Sequence, residues 1–353
     1  MSAILTTGGL GFIGSHTCIT LINKGFDVII VDSLVNSSKE TLKNIKKIVN
    51  SINELNDRKI YFYQYDLKDK KEIDKIFHTQ ISLRKPIDAV IHFAGLKSVQ
   101  ESVMNPLKYW DENISATLSL LSVMAKYDCK KLVFSSSATI YKPRQDLKLN
   151  EDSYQDPINP YGNIKITIEK LLNDLFLSDK SWKIINLRYF NPVGAHPSGF
   201  IGEDPKIKAS NLFPKITKFI LGDLEKLYIF GNDWPTPDGT CIRDYIHVMD
   251  LADAHIAALN FIKVNKPQII SINIGTGKGH SVLDVIKTYS RVNCIDLPYE
   301  FSERREGDAP FVIADNSLAL KLLEWVPQKN MDDMCKDSFR FINSSNGMGR
   351  LMI

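Results

Sequence analysis

Six runs in the first half of the chain are almost continuously apolar: AILTT (3–7), DVIIVD (27–32), IYFYQYD (60–66), DAVIHFAG (88–95), KLVFSSS (131–137) and KIINLRYF (183–190). Between them, near 13–24, 38–55, 69–80, 101–126 and 160–178, apolar residues recur at the spacing of a helix with one buried face. Strands that lack polar alternation are covered on both faces, and strand–helix alternation feeds parallel pairing. The pattern therefore predicts an α/β fold built on a doubly wound parallel sheet. Beyond about residue 190 the texture changes. NPVGAHPSGFIGEDP and GNDWPTPDGT are rich in Gly, Pro and Asp and read as long functional loops, with further helix and strand patterns among them. The expected division is a first domain over roughly 1–190, completed by segments near 240–262 and 270–276, and a smaller mixed α/β lobe from the rest of 191–353.

Composition narrows the classes of function. The 353 residues carry 44 basic and 41 acidic side chains, a net charge of +3, which gives no general attraction to nucleic acid. The lysine-rich pieces KNIKKIVN and KDKKEIDK read as solvated helix faces. Five scattered cysteines (Cys18, Cys129, Cys241, Cys294 and Cys335) form no C-x-x-C pair and suit a reducing cytoplasm. The N-terminus has no basic region ahead of its apolar stretch, so no signal peptide is expected, and no apolar run approaches the ~18 residues of a membrane span. The seven histidines fit no metal-ligand spacing, and His92, inside VIHFAG, reads as a satisfied strand-end residue.

Candidate chemistry begins at TTGGLGFIGSH, between the first strand and the first helix. Gly8, Gly11 and Gly14 fit G-x-x-G-x-x-G, a pattern that allows a tight turn and close backbone approach to a pyrophosphate at a helix N-terminus. The second strand ends in Asp32, 18 residues after Gly14, where an acid holds a ribose diol. A carboxylate there repels a 2′-phosphate, so NAD is expected rather than NADP. Asp66 and the Phe93-Ala94-Gly95 run end two further strands at the edge of the sheet where such ligands bind.

A second signal is NPYGNIK (159–165). Asn159 and Pro160 are a helix cap and a first-turn proline, while Ile164, Ile168, Leu171 and Leu175 mark the inward face. Tyr161 and Lys165, four apart, share a face. A tyrosine titrates near pH 10, and bringing it to about 7 requires favouring the phenolate by roughly 4 kcal/mol. One cation at about 4 Å supplies that much at an effective dielectric of ~20, as an upper-range estimate. The expectation is that Lys165 does so, with the helix N-terminus beside Tyr161 and an oxidised nicotinamide adding to it, which prepares Tyr161 to take a proton from an alcohol as hydride leaves the same carbon.

Taken with FAGLK (93–97), FSSSATIY (134–141), LRYFNPVGAHPSG (187–199), IGEDP (201–205), RDYIHVMDLADAHIAAL (243–259) and RREGD (304–308), these motifs resemble the UDP-glucose 4-epimerase family, within the extended short-chain dehydrogenase/reductases, from about residue 3 to about 340. The resemblance implies a Rossmann-type NAD domain, tightly bound NAD regenerated each turnover, and reversible epimerisation of UDP-galactose and UDP-glucose at sugar C4 through a 4-keto intermediate. It implies Ser137, Tyr161 and Lys165 as catalytic residues. On the cofactor side it implies Gly8, Gly11, Phe12, Ile13, Gly14, Asp32, Asn36, Ser37, Asp66, Leu67, Phe93, Ala94, Gly95, Lys97, Asn113, Ser135 and Tyr189, with Tyr161 and Lys165. For the UDP-sugar it implies Lys97, Ser137, Tyr161, Asn191, Asn211, Arg243, Arg305 and Asp308. It also implies a cytoplasmic homodimer joined through helices near 101–126 and 160–178.

Related dehydratases carry Asp-Glu after the strand-end Thr and decarboxylases keep the Glu, whereas this chain reads Ser137-Ala138-Thr139. Elimination therefore lacks its proton donor. Alternative readings are an epimerase for another sugar nucleotide (N-acetylated, uronic or pentose) and a non-catalytic NAD-binding sensor. Val312 stands where a bulky residue excludes N-acetyl sugars, which predicts partial acceptance of UDP-GlcNAc and UDP-GalNAc. Lys142, Ile164 and Gln100 depart from the family pattern, and the last ten residues, SSNGMGRLMI, read as a loose tail.

Overall fold

A computed structural model describes residues 3–52, 58–142, 148–204, 211–305 and 308–345. The end of the helix expected to reach 55, Pro205 of IGEDP, Glu306 and Gly307 of RREGD, and the tail beyond 345 lie outside the described residues.

Strands β1 (Ala3–Thr7), β2 (Asp27–Val31), β3 (Ile60–Tyr63), β4 (Ile87–His92), β5 (Lys131–Ser137) and β6 (Lys183–Tyr189) enter one seven-stranded sheet, and β11 (Gln268–Ile274) closes its far edge. The order is β11-β6-β5-β4-β1-β2-β3, and every neighbouring pair is parallel. Because the order reverses at β1, a crevice opens above the carboxyl ends of β1 and β4. Helices α1 (Phe12–Asn23), α2 (Lys39–Ile52), α9 (Val248–Val264) and α11 (Ser317–Leu323) cover one face, through Cys18, Ile22, Ile45, Leu251, Leu259 and Leu323. The other face is covered by α3 (Lys70–Ser82), α6 (Ala116–Lys126) and α7 (Pro160–Ser178), through Ile73, Leu120, Val123, Ile164, Ile168 and Leu172.

One expected helix is in pieces. The periodicity over 101–126 is observed as α4 (Val99–Met104), α5 (Pro106–Trp110), a π turn over Asp111–Ser115, and α6. Pro106 has no N–H to give the preceding turn, so α4 stops and α5 begins with the proline at its first position. The third strand is also shorter than its apolar run, because Asp66 to Asp69 turn into the cap of α3.

The remaining elements lie outside this sheet. Short parallel strands β7 (Asn191–Val193) and β10 (Tyr245–His247) pair where the chain leaves and re-enters the sheet region. Beyond them, β8 (Leu227–Phe230) pairs with β13 (Tyr299–Ser302), and β9 (Ile242–Arg243) lies between β12 (His280–Ser281) and β14 (Phe311–Val312). Helices α8 (Leu212–Ile220), α10 (Val282–Asn293) and α12 (Met331–Ser345) pack with them around Phe213, Ile216, Tyr245, Ile286, Tyr289 and Cys335.

Candidate active site

The crevice above β1 and β4 is shaped by glycines. Gly8 has φ +65, and a Cβ there would stand 2.8 Å from the Ala94 nitrogen; a Cβ on Gly14 would stand 2.4 Å from the Gly8 carbonyl oxygen. Gly11 caps α1 without a side chain, and the first turn, with Phe12 and Ile13, holds no acidic residue. Its N–H groups are thus available to an anion. Asp32 is buried at the end of β2, where its Oδ1 accepts from the Leu34 N–H (2.9 Å) and the Ser37 hydroxyl (2.7 Å) and its Oδ2 from the Leu10 N–H (2.9 Å). Asn36 lies on the same loop as Ser37. Asp66 lies in the turn after β3 with its Oδ1 accepting from the Lys68 N–H, whereas the side chain of Leu67 turns into the apolar core. Phe93, Ala94 and Gly95 leave β4, tied back to Thr7 through the Phe93 and Ala94 N–H groups. The π turn buries Asn113 against Gly95, its amide donating to the Tyr109 carbonyl. Lys97 reaches across to Glu203 (2.8 Å).

Deeper in the crevice, the parallel register places Ser137 beside Tyr189. Helix α7 begins at the cap predicted from NPYGNIK, with Asn159 accepting from the Gly162 N–H, and the Tyr161 N–H donates to Ser102 Oγ (3.2 Å). Ser137 lies close enough to the Tyr161 phenol to favour its ionised form. Lys165 is buried and donates to the Ser135 carbonyl (2.6 Å), with its ammonium 5.6 Å from the Tyr161 ring centroid. Without a cofactor's positive charge, the groups around the phenol do not bring it toward neutrality. Burial pushes Tyr161 up to about 12, with Ser137 opposing, and burial pulls Lys165 down to about 8 against the pull of Glu169. The lysine is too desolvated, and too committed to the strand carbonyl, to offset the cost of burying a phenolate.

Sequence reasoning passed over what holds this cluster. Glu169, one turn beyond Lys165, is buried and accepts two bonds from Arg188 (3.0 and 2.7 Å) and one from Ser136 (2.5 Å). The Arg188 guanidinium also donates to Tyr141 and to the Glu151 carbonyl. This network pins α7 to β5 and β6, and its one sequence signal was an arginine inside the apolar run KIINLRYF. Tyr189 donates to His255, whose other nitrogen faces the Leu251 carbonyl and so carries the ring proton. His92 is satisfied between Thr7 and Thr117, as read from its strand-end position.

Of the residues that the resemblance assigns to the UDP-sugar, Asn191, Asn211, Arg243, Arg305 and Asp308 lie beyond the large sheet. Asp308 receives Arg243 (3.3 Å) on one side and Arg305 (2.9 and 3.2 Å) on the other, so both guanidinium groups stand together. Arg243 is in register with Val312, and Val312 packs against the cluster containing Ala138 and Phe190, next to Ser137. Asn191 opens β7, and Asn211 caps α8 with its side chain outside the cap.

The family described as the NAD dependent epimerase/dehydratase family matches residues 4–275. The chain is 45% identical over 343 residues to a UDP-glucose 4-epimerase of Bacillus subtilis (strain 168), covering 97% of each, and 47% identical over 338 residues to one of Dictyostelium discoideum, covering 96% of this chain and 95% of that one. Its fold is similar to the Stenotrophomonas maltophila UDP-glucose-4-epimerase with bound NAD and formylated UDP-arabinopyranose (TM-score 0.92, 40% identity, 99% and 100% covered). It is similar also to the Bifidobacterium longum UDP-glucose 4-epimerase in complex with NAD+ and UDP (TM-score 0.89, 42% identity, 98% and 99% covered). The chain belongs to the NAD dependent epimerase/dehydratase family.

The cradle fits the cofactor of the family. A side chain at Gly8 or Gly14 would fill it, the first turn of α1 is left for the pyrophosphate, and the Asp32 carboxylate suits a ribose diol. Departures from the epimerase pattern are absorbed without touching these groups. Ile164 is fully buried in the core under α7, Gln100 is exposed on α4, and Lys142 pairs with Asp156 on the surface. The described cysteines are all unpaired, no group of described residues suits a metal ion, and no described helix is long and apolar enough to cross a membrane.

Proposed function

We infer that the protein interconverts UDP-galactose and UDP-glucose by inverting sugar C4. The observation that carries this reading is the Ser137–Tyr161–Lys165 cluster at the mouth of an NAD cradle, beside an alanine and a threonine where elimination would need a carboxyl group. NAD, when bound, supplies the hydride acceptor and donor, and in its oxidised form a positive charge. Gly8, Gly11, Phe12, Ile13 and Gly14 would hold its pyrophosphate, with Asp32, Asn36 and Ser37 at the adenosine ribose. Asp66, Leu67 and Phe93 to Gly95 would line the adenine side, and Lys97, Asn113, Ser135 and Tyr189 the rest.

Tyr161 takes the C4 hydroxyl proton and later returns it to the C4 oxygen once the 4-keto sugar has turned its other face, with Ser137 assisting the phenol. Lys165 orients the tyrosine from below. Arg243 and Arg305 pair with the diphosphate, a bidentate match of guanidinium to phosphate, and Asp308, Asn191 and Asn211 contact the remaining polar groups. Anchoring the diphosphate leaves the sugar free to turn over, which inversion requires. Residues 1–190 with 240–262, 270–276 and α11 serve as the NAD unit, and most of the rest of 191–353 as the UDP-sugar lobe. The unpaired cysteines support a cytoplasmic setting, which cell fractionation tests.

The purified protein, supplied with NAD and UDP-galactose, is expected to produce UDP-glucose anomeric signals by NMR toward a fixed ratio without accumulating NADH. Unchanged UDP-galactose from folded, NAD-loaded protein overturns the reading. In the same assay UDP-GalNAc should turn over, and faster than in a Val312→Tyr variant; equal rates remove Val312 as the gate.

A second copy is proposed to cover α4 to α7, which leave Val103, Met104, Leu107, Leu118 and Leu177 exposed. Light scattering is expected to return twice the chain mass, and Leu107→Glu to shift it toward the monomer. A monomeric wild type sinks this assignment.

A further inference from the structure

We propose that Thr139 is a positioning residue that sets the direction of the Ser137 hydroxyl, so that Ser137 always donates to Tyr161. This rests on the epimerase reading and deepens it. A serine hydroxyl has one proton to give and two lone pairs to accept with. Thr139 fills both lone pairs of Ser137, one from its backbone N–H (3.2 Å) and one from its Oγ1–H (3.0 Å). The Ser137 proton is then left for the phenol of Tyr161, whose ionised form Ser137 favours.

The direction matters because a hydroxyl can also accept. If Ser137 accepted from the tyrosine, it would hold the phenol in its neutral form. As a committed donor it stabilises the phenolate, and it opposes the effect of burial on that group. Lys165 is spoken for by the Ser135 carbonyl, and Ser137 is the group that opposes the effect of burial on the phenol.

Thr139 is itself held from both directions. It lies on the 3-10 turn Ala138–Ile140 that Ser137 caps, between the buried side chains of Ala138 and Ile140. On the far side, a Cβ on Gly162 would stand 2.6 Å from the Thr139 carbonyl oxygen. The residue after Tyr161 therefore packs directly on the backbone of Thr139. One short turn thus fixes the donor, the acceptor and the distance between them. The backbone N–H bond alone is an ordinary cap and would leave a lone pair open; the threonine hydroxyl closes it.

The test is the pH dependence of kcat/KM for the NAD-loaded enzyme with UDP-galactose. Thr139→Val keeps the branched shape and the N–H and removes the hydroxyl. It is expected to move the acid limb, where Tyr161 takes up its proton, toward higher pH and to lower kcat at pH 7 about tenfold, the scale of one hydrogen bond to a charged group. Thr139→Ser should restore both. In a Ser137→Ala background Thr139→Val should have no further effect on the limb. An acid limb that stays in place in Thr139→Val, or an undiminished effect of Thr139→Val when Ser137 is alanine, overturns the assignment and leaves Thr139 a structural turn residue. If Thr139→Val does not give folded, NAD-binding protein, Thr139→Ala enters the same comparison. A wild type that folds, binds NAD and leaves UDP-galactose unchanged overturns the epimerase reading itself, a result separate from an active wild type with an unmoved limb.

Discussion

Exchanging Tyr161 for phenylalanine is expected to lower kcat by about 10³-fold, within the usual range for loss of a positioned acid–base group, and to leave NAD bound. The substitution removes one oxygen and keeps the ring. Helix α7 still begins at the Asn159 cap, the residue 161 N–H still reaches Ser102, and Gly162 still packs on the strand end. Lys165 keeps its bond to the Ser135 carbonyl, so the cofactor side of the cluster survives. What disappears is the group that receives the sugar proton. The signature is therefore a collapse of kcat with little change in NAD retention, measured by turnover and by the cofactor released on denaturation. A variant that retains a tenth of wild-type kcat would show that the proton leaves by another route. In the wild type, Lys165 is charged below about 8 and neutral above it, so activity should also fall as pH rises through that value.

Acid is expected to unfold the protein well above the pH at which surface carboxylates protonate. Burial pulls His16 and His92 down to about 3 and His196 and His255 down to about 4, from 6.5. The folded state therefore keeps these rings neutral in a range where the unfolded chain takes up four protons. Stability is full above about pH 6.5 and is lost as pH falls toward the folded values. Between pH 6.5 and 4.5 each ring contributes a loss on the order of 2 kcal/mol. Four together are comparable to the entire 5–15 kcal/mol that holds a typical domain folded. Urea midpoints followed by circular dichroism at pH 7.5, 6.0 and 5.0 should drop steeply across the series. A midpoint that is constant over that range would mean that the rings are not held neutral.

Both predictions depend on features that differ in how they could be read from sequence. Helix α7 was legible to the residue, because a cap, a first-turn proline and an apolar stripe all point to the same start. The cradle and Asp32 were legible because their spacing along the chain is their spacing in space. The breaks in 101–126 were not, since an apolar period does not register a π turn, although Pro106 marked the first break. Tyr161 and Lys165 were correctly placed on one face, yet spacing carries no information on burial, and burial is what sets both of their charges. The Glu169–Arg188 pair joins a helix to a strand beyond it, and the Asp308 bridge to Arg243 spans 65 positions. Such partners become neighbours through the topology of the sheet, and local pattern is silent on them.

The return of β11 to the far edge of the sheet has a consequence for biosynthesis. Strand β6 is complete at Tyr189, but its outer partner is not made until Ile274 has been added, with β7, α8, β8, β9, β10 and α9 in between. A nascent chain halted between these points presents an apolar strand edge with unpaired backbone groups, the kind of surface that recruits other chains. Ribosome pausing, premature stop codons or proteolytic clipping in this stretch would therefore yield aggregating fragments and not a smaller, soluble nucleotide-binding protein.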